Sequence, residues 1–261
     1  MIADDPHLVL RLAASERDLK AAQRLRYRVF VEELGGSGDL VDHAARLECD
    51  AFDAHCDHLL LIDRRRDAAA LDDVVGVYRL LPGDRADACG RFYTEGEYDL
   101  GPLRRSGRRL LELGRSCVDA DYRGGPAMFL LWGGLADYVL DRGAELLFGV
   151  ASFHGTDVAA LAEPLSWLHH HHLAPEELRV RVNPDCGMAM DLIEAARIDR
   201  RAAMLAMPPL IKAYLRLGGF VGEGAWVDQA FNTTDVFLVM DTARMSAKHR
   251  DLYTRRRAAA E

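Results

Sequence analysis

Apolar and polar residues alternate weakly over His7–Ala13, a period-two pattern that predicts a strand. Ser15, with Asp18 in the following turn, caps a helix. Leu19, Ala22, Leu25, Val29 and Phe30 keep a helical spacing to about Leu34, and Gly35-Gly36-Ser37-Gly38 ends it. An acidic loop, Glu48–Asp53, comes before two apolar runs, His58–Asp63 and Val74–Leu81, that read as paired strands. Residues Pro82–Gly107 are irregular and polar. A further strand is predicted over Arg109–Val118, a largely apolar helix over Pro126–Arg142, and a short buried strand over Ala144–Ala151. The order to this point is β-α-β-β-β-α-β. Beyond it the pattern predicts helices over Thr156–His170, near Ala189–Ala206 and over Pro208–Leu217, then a strand over Asp235–Met240 and a polar tail.

The strand around Leu110–Val118 departs from its own pattern. Glu112 and Arg115 stand in an otherwise apolar run, and unpaired buried charge is costly. Strict alternation puts Glu112, Gly114 and Ser116 on one face and Arg115 on the other. A bulge at Gly114 would bring Arg115 round to the face of Glu112 and free backbone amides for a ligand. The alternative is an internal salt bridge of structural value only. Arg123-Gly124-Gly125 then leads into the apolar helix, an arrangement that lets backbone amides approach a phosphate.

Composition narrows the choices. At 261 residues and 49% hydrophobic, the chain suffices for one substantial core. A net charge of −8 argues against nucleic-acid binding. Arg104, Arg105, Arg108 and Arg109 form a local basic cluster, whereas Arg64–Arg66 and Arg255–Arg257 read as solvated loop and tail. Five cysteines at irregular spacing, without a CxxC pair, give neither a zinc site nor a disulfide framework and point to a reducing, cytoplasmic setting. The N-terminus lacks signal-peptide character, and no apolar run approaches the ~20 residues of a membrane span, so membrane contact is expected to be peripheral. His169–His172 reads as a polar helix end rather than a metal site, and no resident cofactor is implied.

A third constellation joins Arg26 and Phe30, four apart on one helix face, to Glu48, Asp50, Asp53 and Arg79. Taken alone it reads as an ion-pair network; with a substrate in view, its carboxylates suit a cationic ligand.

The element order, with Arg123-Gly124-Gly125 before the second helix and Tyr214–Phe220 near the end, resembles the GNAT acyltransferase superfamily. The first half is similar to acyl-homoserine-lactone synthases through Arg26 and Phe30, Asp50 and Asp53, Arg79, and Glu112 with Arg115. The second half is similar to ornithine-lipid N-acyltransferases through Met207–Gly219, Phe231–Phe237 and Ala151–Asp157. The resemblance covers about residues 8–245 and implies an α+β fold. Helices would flank a central mixed, mostly antiparallel twisted sheet, in one domain over residues 1–245. A helical insertion at 152–206 would precede the C-terminal strands, and 246–261 would form the tail.

The resemblance also implies a reaction: transfer of a 3-hydroxyacyl group from acyl carrier protein to the α-amine of L-ornithine. Glu112 would be the base and Tyr214 the acid. Arg26, Phe30, Asp50, Asp53, Arg79 and Arg115 would bind the acceptor, and Arg123, Gly124 and Gly125 the phosphopantetheine. Arg104–Arg109 would dock the carrier protein. Pro126 and Met128 occupy marked positions of the usual GNAT glycine turn, which favours a carrier-protein donor over coenzyme A. Leu34-Gly35-Gly36 stands where lactone synthases carry a Trp, which argues against S-adenosylmethionine as acceptor. The alternatives are another amino acid or a lactone precursor as acceptor, or a non-catalytic module binding acyl carriers or membrane surfaces.

Overall fold

The computed structural model describes residues 5–38 and 41–244. The predicted tail, 246–261, lies outside the described residues, as does Arg255–Arg257. In chain order the strands are β1 (Leu8–Leu12), β2 (Val41–Asp42), β3 (Leu47–Glu48), β4 (Asp57–Asp63), β5 (Val74–Pro82) and β6 (Tyr98–Asp99), then β7 (Leu110–Val118), β8 (Leu146–His154), β9 (Arg181–Val182), β10 (Gly187–Met188), β11 (Phe220–Asp228) and β12 (Thr233–Asp241). The helices are α1 (Glu16–Arg26), α2 (Gly83–Cys89), α3 (Gly101–Arg105), α4 (Ala127–Arg142), α5 (Ala162–His172), α6 (Arg200–Ala206) and α7 (Pro209–Arg216). Pairing is mostly antiparallel, with parallel β7–β8 and β11–β9 pairs, and helices flank the strands.

Two compact units form, one from residues 5–90 and 113–143, the other from 91–112 and 144–244. β7 gives Leu110–Glu112 to the second unit and Leu113–Val118 to the first.

In the first unit β1, β4, β5 and the end of β7 lie side by side. β5 is buried along its whole length, and its run of Val and Leu is that of a strand covered on both faces. Leu60, Ile62, Val74 and Val77 pack with Ala21, Ala22, Leu25 and Val29 of the first helical segment. On the opposite face α4 comes close enough that a Cβ at Gly134 would meet Leu10 Cδ2 at 2.4 Å, and one at Gly76 would meet Leu131 Cδ1 at 2.9 Å. Ser15 caps α1 through the amide of Asp18, as the sequence predicts. The helix then loosens into π-helical turns over Tyr27–Glu33, a form found often at functional sites.

In the second unit β12 pairs with β8 over nine residues, and Leu110–Glu112 runs parallel to Leu146–Phe148. Phe92, Phe148 and Phe237 form its aromatic core, with ring centroids 5.0 and 5.9 Å apart. Tyr98 is fully buried and donates its hydroxyl to the carbonyls of Gly224 and Asp235.

The pattern reading missed several elements. Pro82–Gly107 folds as α2, the 3-10 turn Tyr93–Gly96, β6 and α3. The helix expected near Ala189–Ala206 is confined to α6, and β10 occupies Gly187–Met188. β11 is absent from the prediction because Gly222 and Gly224 interrupt the alternation and Ala225 follows a register shift.

Candidate active site

Six charged side chains of the first unit close into a ring of alternating sign. Arg26, the last residue of α1, donates Nε to Glu48 Oε2 and Nη1 to Asp53 Oδ1 at 2.7 Å. Arg79, on β5, donates Nη1 to Asp53 Oδ1 at 2.9 Å and to Asp50 Oδ1 at 2.6 Å. Arg115, on β7, completes the circuit, donating Nε to Glu48 Oε1 at 3.0 Å and Nη2 to Asp50 Oδ2 at 3.3 Å. The order is Arg26, Glu48, Arg115, Asp50, Arg79, Asp53 and back to Arg26. Gln23, one helical turn before Arg26, donates to the outer oxygen of Asp53 at 2.9 Å.

Three guanidiniums and three carboxylates leave the ring neutral, as burial demands. Burial opposes ionisation of Asp53, but Arg26 and Arg79 outweigh it and hold the carboxyl below its usual range. Burial likewise opposes the Arg26 charge, and Glu48 and Asp53 more than offset it. His58 Nε2 lies 3.1 Å from the Asp53 carbonyl, and burial keeps that imidazole neutral by lowering its pKa. Arg26 is wholly enclosed, whereas the Arg115 side chain is 12% exposed. The Arg115–Asp50 contact is the longest of the six.

Arg115 adopts φ +48°, a left-handed conformation that costs a non-glycine residue ~1–2 kcal/mol. The irregularity expected at Gly114 sits instead on Arg115. Glycine tolerates such a backbone best, but here Glu48 and Asp50 hold the guanidinium of the residue that adopts it. Phe30 packs against the Leu25 and Val29 cluster rather than appearing among the ring contacts.

Glu112 is held quite differently. Its carboxylate accepts from the amides of Tyr93 at 2.9 Å and Thr94 at 2.7 Å, and from the Thr94 hydroxyl. It thereby caps the first turn of Tyr93–Gly96. The side chain is 4% exposed. Tyr214 lies on α7 with its ring buried, and its carbonyl accepts from the amide of Gly219.

Arg123 donates Nε to the Val118 carbonyl at 2.9 Å and pairs its two terminal nitrogens with Glu33. Gly124, at φ +75°, then turns the chain into α4, whose N-cap, Pro126, supplies no side-chain bond to the helix amides. The basic cluster faces its own carboxylates: Arg104 meets Glu95 at 2.6 Å, Arg108 meets Asp241 at 2.5 Å and Arg109 meets Glu145 at 3.7 Å. At the end of α5 the His171 ring lies tilted against Trp167 with centroids 3.9 Å apart, and His170 lies 3.1 Å from the Ile193 carbonyl. Among the described residues no helix is long and apolar enough to cross a membrane.

Residues 25–133 match the acetyltransferase (GNAT) domain family. The fold is shared with the CoA-dependent acyl-homoserine lactone synthase BjaI (17% identity, TM-score 0.53, covering 95% of this chain and 89% of that one). It is also shared with FeeM, an N-acyl amino acid synthase from uncultured soil microbes (12% identity, TM-score 0.52, covering 91% and 93%). Fold and domain match define a GNAT-like fold, and the relatives in sequence define an acyltransferase. An L-ornithine N(alpha)-acyltransferase of Rhodobacter capsulatus is 65% identical over 95% of both chains, and one of Brucella abortus is 42% identical over 94% of this chain and 88% of that one. The chain belongs to the L-ornithine N(alpha)-acyltransferase family.

Proposed function

We propose that the protein transfers a 3-hydroxyacyl group from the phosphopantetheine thioester of acyl carrier protein to the α-amine of L-ornithine, in the cytoplasm and in peripheral contact with the inner face of the membrane. The family relationship supports the reaction. The observation that carries the acceptor is the long Arg115–Asp50 contact in an otherwise tight ionic ring. Ornithine brings one carboxylate and one side-chain ammonium besides the amine that reacts. Placed between these two residues, its carboxylate meets Arg115 and its ammonium meets Asp50. The alternation of charge is kept, and a guanidinium and a carboxylate each gain a charge-assisted bond. Arg79 steadies Asp50, while Arg26 and Asp53 act from behind through Glu48 and Arg79. Phe30 fixes the helix that carries Arg26.

The amine arrives protonated and must lose a proton to attack. Glu112 takes it, directly or through one water. The nitrogen lone pair forms the C–N bond, the C–S bond breaks, and Tyr214 protonates the departing thiolate; the second N–H proton, shed as the amide forms, restores the tyrosine hydroxyl. Backbone amides around Gly114 and the left-handed Arg115 meet the oxyanion, a position consistent with strain held at a working residue. Amides of Gly124, Gly125 and the start of α4 take the single phosphate of the donor arm, with Arg123 bracing the turn against Glu33.

Mass spectrometry tests this. The protein is incubated with 3-hydroxyacyl carrier protein or the matching acyl coenzyme A, and a panel of amino acids. N-acylornithine formed from the carrier-protein donor is the expected product. An amide of another amino acid overturns the acceptor, and faster transfer from coenzyme A overturns the donor.

A further inference from the structure

We propose that α6 and α7 form the surface by which the protein docks on an anionic lipid bilayer. This deepens the peripheral contact proposed above and is independent of the assignment of donor and acceptor. The chain carries net charge −8, yet no acidic residue occurs from Arg200 to Gly222, where Arg200, Arg201, Lys212 and Arg216 all fall. Many arginines elsewhere meet the protein's own carboxylates, as in Arg17–Asp73, Arg28–Asp119, Arg65–Asp63 and Arg108–Asp241. Among the described residues these four cations have no carboxylate partner. Arg200 lies over the ring of Trp167 at 5.6 Å, which leaves its charge uncompensated.

Helix geometry sorts the segment into faces. On α6 the buried positions are Ala203 and, just past its end, Met207. At 100° per residue, Leu205 points away from them and shares its outer face with Arg201, four residues earlier. Leu205 is 84% exposed, while Leu140, the next most exposed large apolar residue among the described residues, is 47% exposed. On α7 Ile211 and Tyr214 are buried, and Pro209, Lys212 and Arg216 fall on the opposite side. Single exposed leucines are common on protein surfaces. Here the leucine shares its face with the unpaired Arg201, in a stretch whose other exposed residues include Ala206 and Pro209. Such a surface fits a phosphate layer for the guanidiniums and hydrocarbon beneath it for the leucine, with the Arg201 stem lying along the apolar side chain. Asp199, whose carboxylate accepts from the amides of Arg201 and Ala202, holds the helix start and marks the edge of the basic stretch.

Co-sedimentation with vesicles tests the proposal, using phosphatidylglycerol mixed into phosphatidylcholine at about 0.1 M salt. The full chain is expected to pellet with the anionic vesicles and stay in solution with pure phosphatidylcholine. The variant R201E/K212E/R216E should lose affinity by about fivefold or more for each cation removed. Leu205→Ser should lose ~10-fold, the order expected when one buried leucine is withdrawn from lipid. Both variants should keep the circular dichroism of the parent and its turnover of dispersed substrates. Leu205→Trp provides a second readout, a blue shift in the emission gained over the parent on adding anionic vesicles. Failure of the parent to pellet, equal pelleting of the variants, or absence of the blue shift overturns the proposal. So does normal pelleting of the charge-reversed variant together with a raised KM for the carrier-linked donor, which would make the surface a protein-docking site. Loss of vesicle binding with intact acyl transfer supports the docking surface and leaves the chemistry untouched.

Discussion

Glu112 and Arg115 sit three residues apart on one strand, yet are stabilised in opposite ways. Glu112 rests on neutral donors, two amides and a hydroxyl of the Tyr93–Gly96 turn. Arg115 rests on formal charges within a closed ionic ring. A neutral isostere keeps the donors on one of the two oxygens and loses those on the other. A balanced ring does not tolerate the loss of one member, because the remaining charges stay buried without compensation. The two settings therefore separate what a substitution does to chemistry from what it does to folding.

The sharpest test of that contrast is Arg26→Met. It leaves Glu48 and Asp53 short of one cation and should cost ~3–5 kcal/mol. For a protein of this size that corresponds to a fall in Tm of about 10 °C by calorimetry. A loss under about 1 kcal/mol would mean that the ring rearranges freely, and the contrast would fail. Glu112→Gln should cost ~1–3 kcal/mol in stability, since its oxygen still accepts from Thr94 while its NH2 is left facing the Tyr93 amide. Its turnover should drop ~10²–10⁴-fold if Glu112 is the base. Near-normal turnover in a folded variant removes Glu112 from that role.

Asp50→Asn probes the ring at its longest contact; like any loss of a ring charge it lowers stability, so its kinetics are read on the folded variant. The KM for ornithine should rise ~10-fold or more, with kcat less affected, as expected when binding is lost without loss of the reacting groups. A fall in kcat at unchanged KM would move the acceptor elsewhere.

The smallest effect is one of pH. His58 has a folded pKa below its unfolded value, so the unfolded chain binds the proton first as pH falls through ~6.5. Stability should decline there, by at most about 1.4 kcal/mol per pH unit for one proton. Asp53 acts in the same direction at lower pH. Its folded pKa is depressed, so its contribution is present above about 3.9 and lost as pH falls through the folded value. Denaturant titrations of the parent and His58→Gln between pH 7 and 5 should differ in slope; identical slopes would exclude His58 as the source.

The sequence made the first unit more legible than the site. β4 and β5 announce themselves as runs of Val and Leu because both faces are buried, and Ser15 marks the start of α1. Arg26, Glu48, Asp50, Asp53 and Arg79 were recognisable as a group from the residues. Arg115 joined them only through the family resemblance, because period two assigns it to the other face and its left-handed backbone brings it to Glu48. Gln23 carried a usable signal, lying on the helix face of Arg26, three residues before it. Nothing in the sequence tied Glu112 to Tyr93 and Thr94, since that link depends on a turn inside a stretch without periodicity. The basic run at Arg104–Arg109 misled for a related reason. Glu145 and Asp241, which face Arg109 and Arg108, are remote in sequence and become neighbours only through the strand pairing.

The ionic ring also imposes a parity rule. A circuit in which signs alternate can be opened and reclosed only by a guest that adds one charge of each sign between neighbours. A fatty acid offers a lone anion and a simple amine a lone cation, and either would set like charges side by side in a site with little water. Putrescine, with two ammoniums and no carboxylate, fails by the same rule although its carbon chain matches that of ornithine. Within such a circuit, discrimination among small metabolites would be set by counting charges before any pocket measured their length.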